Sequence, residues 1–184
     1  MKTLIKKGKS LSKKELDLIV NANIKNFNDC QDYEKELRLL KNEEVASTFF
    51  FVEKKGKIVS MGLLRPIKIN YLRKSYNIFG ISNMISIIKR KGYGKMIVSA
   101  MKEFLQKKSK TGVGFCHDGN IRFYKKSGLS VLNKSKNRFF YDYGNPKENK
   151  EMMEDAVIYF EGKDKFITKV LKTKSLIKIS CEHW

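Results

Sequence analysis

The run Lys89-Arg90-Lys91-Gly92-Tyr93-Gly94-Lys95 is the part of this 184-residue chain best suited to chemistry. It lies between an apolar, β-branched run, Tyr76 to Ile88, and an amphipathic helical one, Gly92 to Lys108. Two glycines two apart let the chain turn sharply and let its backbone approach a ligand closely. The N–H groups from Gly92 to about Met96 would then project unpaired from the positive end of a helix dipole. Such an array binds pyrophosphate, and Lys89, Arg90, Lys91 and Lys95 add attraction. Taken alone, a Gly-x-Gly before a helix is equally an ordinary tight turn. Two other phosphate loops are excluded: Gly8-Lys9-Ser10 lacks the leading glycine of a Walker loop, and Ile97 stands where a dinucleotide fingerprint needs its third glycine.

A second group follows the next short strand: His117-Asp118, then Asn120-Ile121-Arg122-Phe123-Tyr124-Lys125-Lys126-Ser127-Gly128-Leu129. An imidazole at the end of a strand suits a general base, or it simply caps the helix that follows. Tyr124 offers a phenol whose ordinary pKa, about 10, lies close to a thiol's, so that proton exchange between them is nearly thermoneutral. The alternative is a core aromatic of a short helix. Cys116 reads as a buried strand residue and not as a nucleophile. The cysteines, Cys30, Cys116 and Cys181, have no metal-ligand spacing, so no metal is expected.

In this order the glycine turn and the Asn…Phe-Tyr…Gly segment resemble the signature of the GNAT acetyltransferase superfamily. Lys89 takes that signature's Arg/Gln place, Gly92 and Gly94 its glycines, Asn120 its Asn, Phe123-Tyr124 its Phe-Tyr and Gly128-Leu129 its Gly-Phe. Lys for Arg/Gln and Leu for Phe are mild departures. The match covers Tyr76 to Leu132 well and the remainder in outline. The resemblance implies acetyl-CoA as co-substrate and transfer of its acetyl group to a primary amine by direct attack in a ternary complex. It implies a cofactor-binding set of Lys89, Arg90, Lys91, Gly92, Tyr93, Gly94 and Lys95, with the pyrophosphate on Gly92 to Lys95. It further implies that Met84, Ile85 and Ser86 pair with the pantetheine arm, and that Asn120 and Phe123 lie on the cofactor side. Tyr124 would protonate the leaving thiolate. The strand Tyr76 to Ile88 has no Asp or Glu to serve as base, so His117 is the candidate for that role and Asn83 for a contact with the acceptor. A fainter resemblance, carried by a final strand and a terminal Trp, is to aminoglycoside 2′-N-acetyltransferases. It implies Glu182 and Trp184 beside a polyamine acceptor; the plain alternative is a Trp that plugs a sheet edge. The missing strand carboxylate favours a second reading, a non-catalytic acyl-CoA sensor. A basic nucleic-acid-binding module is the third.

The elements that must position these groups alternate along the chain. Thr3 to Lys6 reads as a strand. Ser12 and Glu15 form a capping box that opens a helix to Phe27, with Leu16, Ile19, Val20, Asn23 and Ile24 on one face. Tyr33 to Lys41 reads as a second helix. Thr48 to Glu53, the turn at 54–57 and Ile58 to Tyr71 give a hairpin signal. After the strand Tyr76 to Ile88 and the helix Gly92 to Lys108 come a short strand, Val113 to Cys116, and a short helix, Asn120 to Lys126, closed by Gly128. Val131 to Leu132 and Phe139 to Tyr143 fit a closing hairpin, and Ala156 to Phe160 and Leu176 to Ser180 two last strands. The expected class is mixed α/β: a single GNAT-like domain over 1–184, a mostly antiparallel sheet with one parallel strand-helix-strand crossover, and helices on both faces.

Composition bounds the rest. Lys and Arg number 39 against 19 acids, a formal charge of +20 that favours anions. The lysines are spread evenly and the arginines are few, which argues against nucleic acid as the partner. Asp29 to Glu44 and Glu148 to Asp155 run against the trend; each reads as a solvated helix face or as a place where a cationic ligand docks. No run is long and apolar enough to span a bilayer, and Met1 to Ile19 does not read as a signal peptide. With an odd number of cysteines, these features predict a cytoplasmic protein. The acceptor is expected to be a small-molecule or peptide amine, and a homodimer is left open.

Overall fold

The computed structural model describes residues 1–27, 30, 32–133, 138–141, 151–152 and 155–179. In chain order these form β1 (Lys2–Lys7), a 3-10 turn, α1 (Lys13–Asn26), α2 (Tyr33–Asn42), β2 (Thr48–Lys54), β3 (Lys57–Tyr71), β4 (Lys74–Ser86), α3 (Tyr93–Lys108), β5 (Gly112–Cys116) and α4 (Asp118–Lys126). Then follow β6 (Ser130–Leu132), β7 (Phe139–Tyr141), β8 (Glu151–Met152), β9 (Ala156–Phe160), α5 (Phe166–Leu171) and β10 (Ile177–Ile179). The chain divides into two compact units. The first holds Met1–Arg65 and Ser82–Ala100, the second Pro66–Ile81 and Met101–Trp184.

In the first unit the strand order is β1-β2-β3-β4. β1 and β2 pair antiparallel through Leu4↔Phe51, and β2 and β3 through Phe50↔Gly62. Strand alternation sends Phe49 and Phe51 to one face, where their rings stack 6.2 Å apart. There they join Ile19, Val20 and Leu40 of the helices with Met61, Leu63 and Ile85 of the strands in one apolar cluster. The capping box forms as expected: Ser12 N–H donates to the Glu15 carboxylate at 2.9 Å, and Glu15 N–H to Ser12 Oγ at 3.4 Å. Asp32 caps α2 by accepting from Lys35 N–H at 3.1 Å.

In the second unit the order is β3-β4-β5-β9-β6. β4 and β5 run parallel, paired at Phe79↔Gly112 and Gly80↔Val113, and α3 is the crossover between them. The β5–β9 and β9–β6 pairs are antiparallel. The mixed, mostly antiparallel sheet of the sequence reading is therefore present. A separate three-stranded sheet has the order β10-β7-β8. Its Phe139, Ile177 and Ile179 pack with Val113, Val157, Tyr76 and Phe166 in a second cluster.

Four expectations need correction. Val131–Leu132 and Phe139–Tyr141 do not form a hairpin: β6 pairs with β9, while β7 pairs parallel with β10 and antiparallel with β8. Adjacency in sequence suggested a partner that longer-range burial overrode. β4 ends at Ser86, two residues early, because both Ile87 and Ile88 turn their N–H groups to the Val59 carbonyl, at 3.0 and 3.2 Å. α4 starts at Asp118, before Asn120. Finally, the acidic segment is not wholly a solvated face, since Glu36 and Glu44 are buried. Glu44 binds Arg65 and Ser47. The helix α5 has no counterpart in the sequence reading. It buries Phe166, Ile167 and Val170, and the Glu161 carboxylate accepts its N–H groups at Ile167 (3.0 Å) and Thr168 (2.9 Å). Among the described residues no helix is long and apolar enough to cross a membrane.

Candidate functional site

The first unit holds the glycine turn. Gly92 has φ +77°, the left-handed region that glycine enters without penalty, and nothing lies within 4 Å of where its Cβ would be. α3 follows at once, and Met96 N–H donates to the Gly92 carbonyl at 3.3 Å. The N–H groups of Gly92 to Lys95 thus precede the first helical bond and have no partner within the helix. The first turn carries no acid, and Lys89, Arg90, Lys91 and Lys95 are all exposed around it. Open space, outward donors, dipole and cations together fit a pyrophosphate. Tyr93 contributes differently from its neighbours. Its ring is buried (5% exposed) and its hydroxyl accepts from Lys54 Nζ at 3.1 Å, so the side chain anchors the turn and only the backbone faces out.

The strand end behind the turn is tied down residue by residue. The Ile85 side chain sits in the core, and its carbonyl accepts from Ser60 Oγ at 2.9 Å. Ser86 Oγ lies 3.1 Å from the same hydroxyl. Met84 is half-buried. Asn83 adopts φ +51°, a left-handed residue within β4. Its amide Nδ2 donates to Asn23 Oδ1 on α1 at 3.1 Å. The buried Ser82 Oγ finds no hydrogen-bond partner among the described residues.

The second unit holds Tyr124, His117, Asn120 and Phe123. Tyr124 is buried on α4 with its ring centroid 4.9 Å from that of Phe123. Burial, and then the neighbouring Cys116, push its phenol up to about 12. Burial first, then Asp155 and Asp118, push the Cys116 thiol up to about 11. Both groups hold their protons at neutral pH, which disfavours a thiolate at Cys116. Asn120 is exposed on the first turn of α4, its N–H donating to the His117 carbonyl at 2.9 Å, and Phe123 is partly exposed.

His117 is the N-cap residue of α4 but makes no side-chain cap. Its imidazole, 87% exposed, places Nδ1 3.0 Å from Asp155 Oδ1. The sequence reading missed Asp155. The β5–β9 register pairs Cys116 with Ala156, so the residue after one strand must face the residue before the other. In the neutral ring such a carboxylate favours the tautomer with the proton on Nδ1, in which Nε2 is the accepting nitrogen. Glu182 and Trp184 lie outside the described residues. No group of metal ligands occurs among the described residues.

No family model and no curated protein matches the sequence. Solved structures do match in fold. An Escherichia coli GNAT family N-acetyltransferase, YhbS, solved in complex with CoA, superposes with a TM-score of 0.63 at 11% identity, over 97% of this chain and 89% of that one. Escherichia coli ElaA gives 0.59 at 11% identity, over 87% and 99%. A conserved protein of unknown function from Enterococcus faecalis V583 gives 0.58 at 15% identity, over 80% of this chain but only 41% of that one. The likeness is one of fold: this chain folds as the GNAT N-acetyltransferases do.

Proposed function

We propose that a chain with this fold is an N-acetyltransferase acting on a primary amine, with acetyl-CoA as co-substrate and residues 1–184 forming one such domain. The observation that carries the reading is the first turn of α3. There a left-handed Gly92 delivers outward N–H groups, with no acid in that turn and exposed cations around it. In this reading Gly92 to Lys95 take the pyrophosphate through their backbone, assisted by Lys89, Arg90 and Lys91. Met84 to Ser86 offer strand backbone to the pantetheine arm; Asn120 and Phe123 are assigned to the cofactor side on sequence alone. Bound acetyl-CoA supplies an activated thioester carbonyl.

His117 accepts the amine's proton at Nε2, with Asp155 holding Nδ1. Tyr124 acts at the departing sulfur, but its part differs from the thermoneutral exchange that an ordinary phenol would permit. With the phenol near 12 and a free thiol near about 8.5, full proton transfer is uphill by roughly 5 kcal/mol. Tyr124 therefore donates a hydrogen bond to the developing thiolate and keeps its proton, which stabilises charge without moving it. Positioning supplies the remainder, since direct attack needs no covalent enzyme intermediate. Asn83 faces the acceptor, and Glu182 and Trp184 are assigned to the acceptor side on sequence alone. The odd number of cysteines supports a cytoplasmic setting.

Calorimetry tests the reading. At about 0.15 M salt, where diffuse attraction is screened, acetyl-CoA should bind one to one and much more tightly than ATP or a DNA duplex. Equal affinity for all three would reduce the Gly92 turn to a turn and end the proposal.

A further inference from the structure

In the first unit a row of polar side chains is enclosed where apolar ones would be expected. Asn23, 2% exposed, lies on the apolar face of α1, and Glu36, 8% exposed, lies on α2. Asn23 Nδ2 donates to Glu36 Oε2 at 3.3 Å, and Asn83 Nδ2 donates to Asn23 Oδ1 at 3.1 Å. Among the described residues no cation pairs with Glu36, although the chain has 39 lysines and arginines. A nearly buried carboxylate without a counter-charge is costly unless something compensates it.

The direction of this row follows from elementary chemistry. An ionised carboxylate only accepts, so Asn23 must turn its NH₂ toward Glu36 and its carbonyl oxygen toward Asn83. Asn83 must then spend its NH₂ on Asn23. Its own Oδ1 is left over, without a hydrogen-bond partner among the described residues. An asparagine amide is free to flip in isolation; here the charge two residues away decides which end it presents. The left-handed backbone of Asn83 sets the side chain apart from the strand's regular alternation, and Asn tolerates that conformation better than other residues that carry a side chain.

We propose that Glu36 is a positioning residue that, through Asn23, locks the Asn83 amide with Oδ1 presented as hydrogen-bond acceptor for the substrate amine's N–H. The carboxylate behind it, in the first turn of α2, favours the same ligand class, a primary ammonium. The proposal rests on the N-acetyltransferase reading and deepens it by naming how the acceptor is selected.

The test uses NMR of the full chain with propylammonium chloride as probe and sodium chloride as control. Wild-type protein should show the side-chain NH₂ signals of Asn23 and Asn83 protected from exchange, and propylammonium should shift those of Asn83. Glu36→Gln keeps the size but can present an NH₂, so the row loses its fixed direction. Probe affinity should drop about tenfold, the scale of one charge-supported hydrogen bond. In Glu36→Gln with Asn83→Asp the accept-only group sits at the other end. Asn23 reverses, its protected signal returns, and probe affinity recovers to the wild-type level or above. Asn83→Gly retains the left-handed backbone, deletes Oδ1 and should match the single Glu36→Gln loss. If Glu36→Gln lowers the melting temperature but leaves probe affinity unchanged, or if the probe never shifts Asn83, the row is only structural and the proposal is overturned. Acetyl-CoA calorimetry on the same samples is a separate arm: its failure would remove the enzyme reading, whereas the Asn83 result is read without acetyl-CoA.

Discussion

Replacing Gly92 by Ala separates conformation from space at the phosphate turn. Gly92 sits at φ +77° with nothing within 4 Å of a new Cβ, so the methyl group meets no protein atom. What it meets is the left-handed penalty, about 1–2 kcal/mol for a residue with a Cβ. That energy must surface in stability, if the alanine stays left-handed throughout, or in affinity, if it relaxes in the free protein and is forced back by the ligand. The stretch 87–92 is exposed, so little packing holds the alanine in place and affinity should take most of the loss. At about 1.4 kcal/mol per tenfold, acetyl-CoA should bind roughly 5- to 30-fold more weakly by calorimetry, with a small change in melting temperature. Asn tolerates the left-handed region, so Gly92→Asn should lose less despite its larger side chain. If Asn is as harmful as Ala or worse, bulk and not backbone conformation governs the turn. If Ala changes neither affinity nor stability, the backbone-donor argument fails.

Other perturbations probe the second unit and the proton chemistry. Tyr124→Phe should lower kcat about 10- to 100-fold, the value of one hydrogen bond to a developing charge, while leaving acetyl-CoA affinity within about twofold; an unchanged kcat removes Tyr124 from the mechanism. The same variant tests linkage. A phenol at about 10 unfolded and about 12 folded binds its proton more tightly in the native state, so wild-type stability is full below pH 10 and declines as pH rises toward 12. The difference between wild type and Tyr124→Phe in alkaline denaturant melts should reach about 2–3 kcal/mol, and no difference would contradict the burial of the hydroxyl. Asp155→Asn should reduce kcat/KM and shift the His117 ring nitrogens in ¹⁵N NMR toward the other tautomer, whereas a merely structural ion pair would leave kcat/KM alone. Gly114→Ala would place a Cβ 2.6 Å from the Ile81 carbonyl oxygen, a backbone atom that cannot yield, and should destabilise by about 1–3 kcal/mol in urea melts.

Sequence carried those features whose physics is local. Ser12 and Glu15 are three residues apart and cap a helix wherever they occur before an apolar face. Gly92 and Gly128 announce left-handed turns because few other residues enter that region cheaply, and both have positive φ. The turn at 54–57 likewise joins the two strands it suggested. What escaped depends on pairing across distance. Asp155 reaches His117 only because β9 runs antiparallel to β5, and no spacing within either segment encodes that choice. Proximity in sequence points β7 to β6, yet its partner β10 lies beyond β9. Asn83 reads as a candidate acceptor contact on its strand, and Glu36 as a solvated helix acid; their meeting through Asn23 needs two helices and a strand in place. A search for a carboxylate along the strand before the glycine turn finds none, whereas the structure links one on α2 to that strand through Asn23.

Among the described residues the acids are largely occupied. Glu15 and Asp32 cap α1 and α2, Glu161 caps α5, and Asp164 accepts from the Thr111 N–H at 3.1 Å. Asp17 accepts from Tyr33, Glu53 pairs with Lys2, and Glu36, Glu44 and Asp155 have the partners described above. Carboxylates drawn inward or held at helix starts leave the outward field to the surplus of lysine. Any small polyanion is then drawn in quickly, with an encounter rate that climbs steeply as salt is diluted. Speed of arrival and choice of ligand are thereby divided between different groups. The diffuse lysine field gathers anions without distinguishing them, and discrimination falls to the fixed N–H vectors behind Gly92, whose directions do not change with ionic strength.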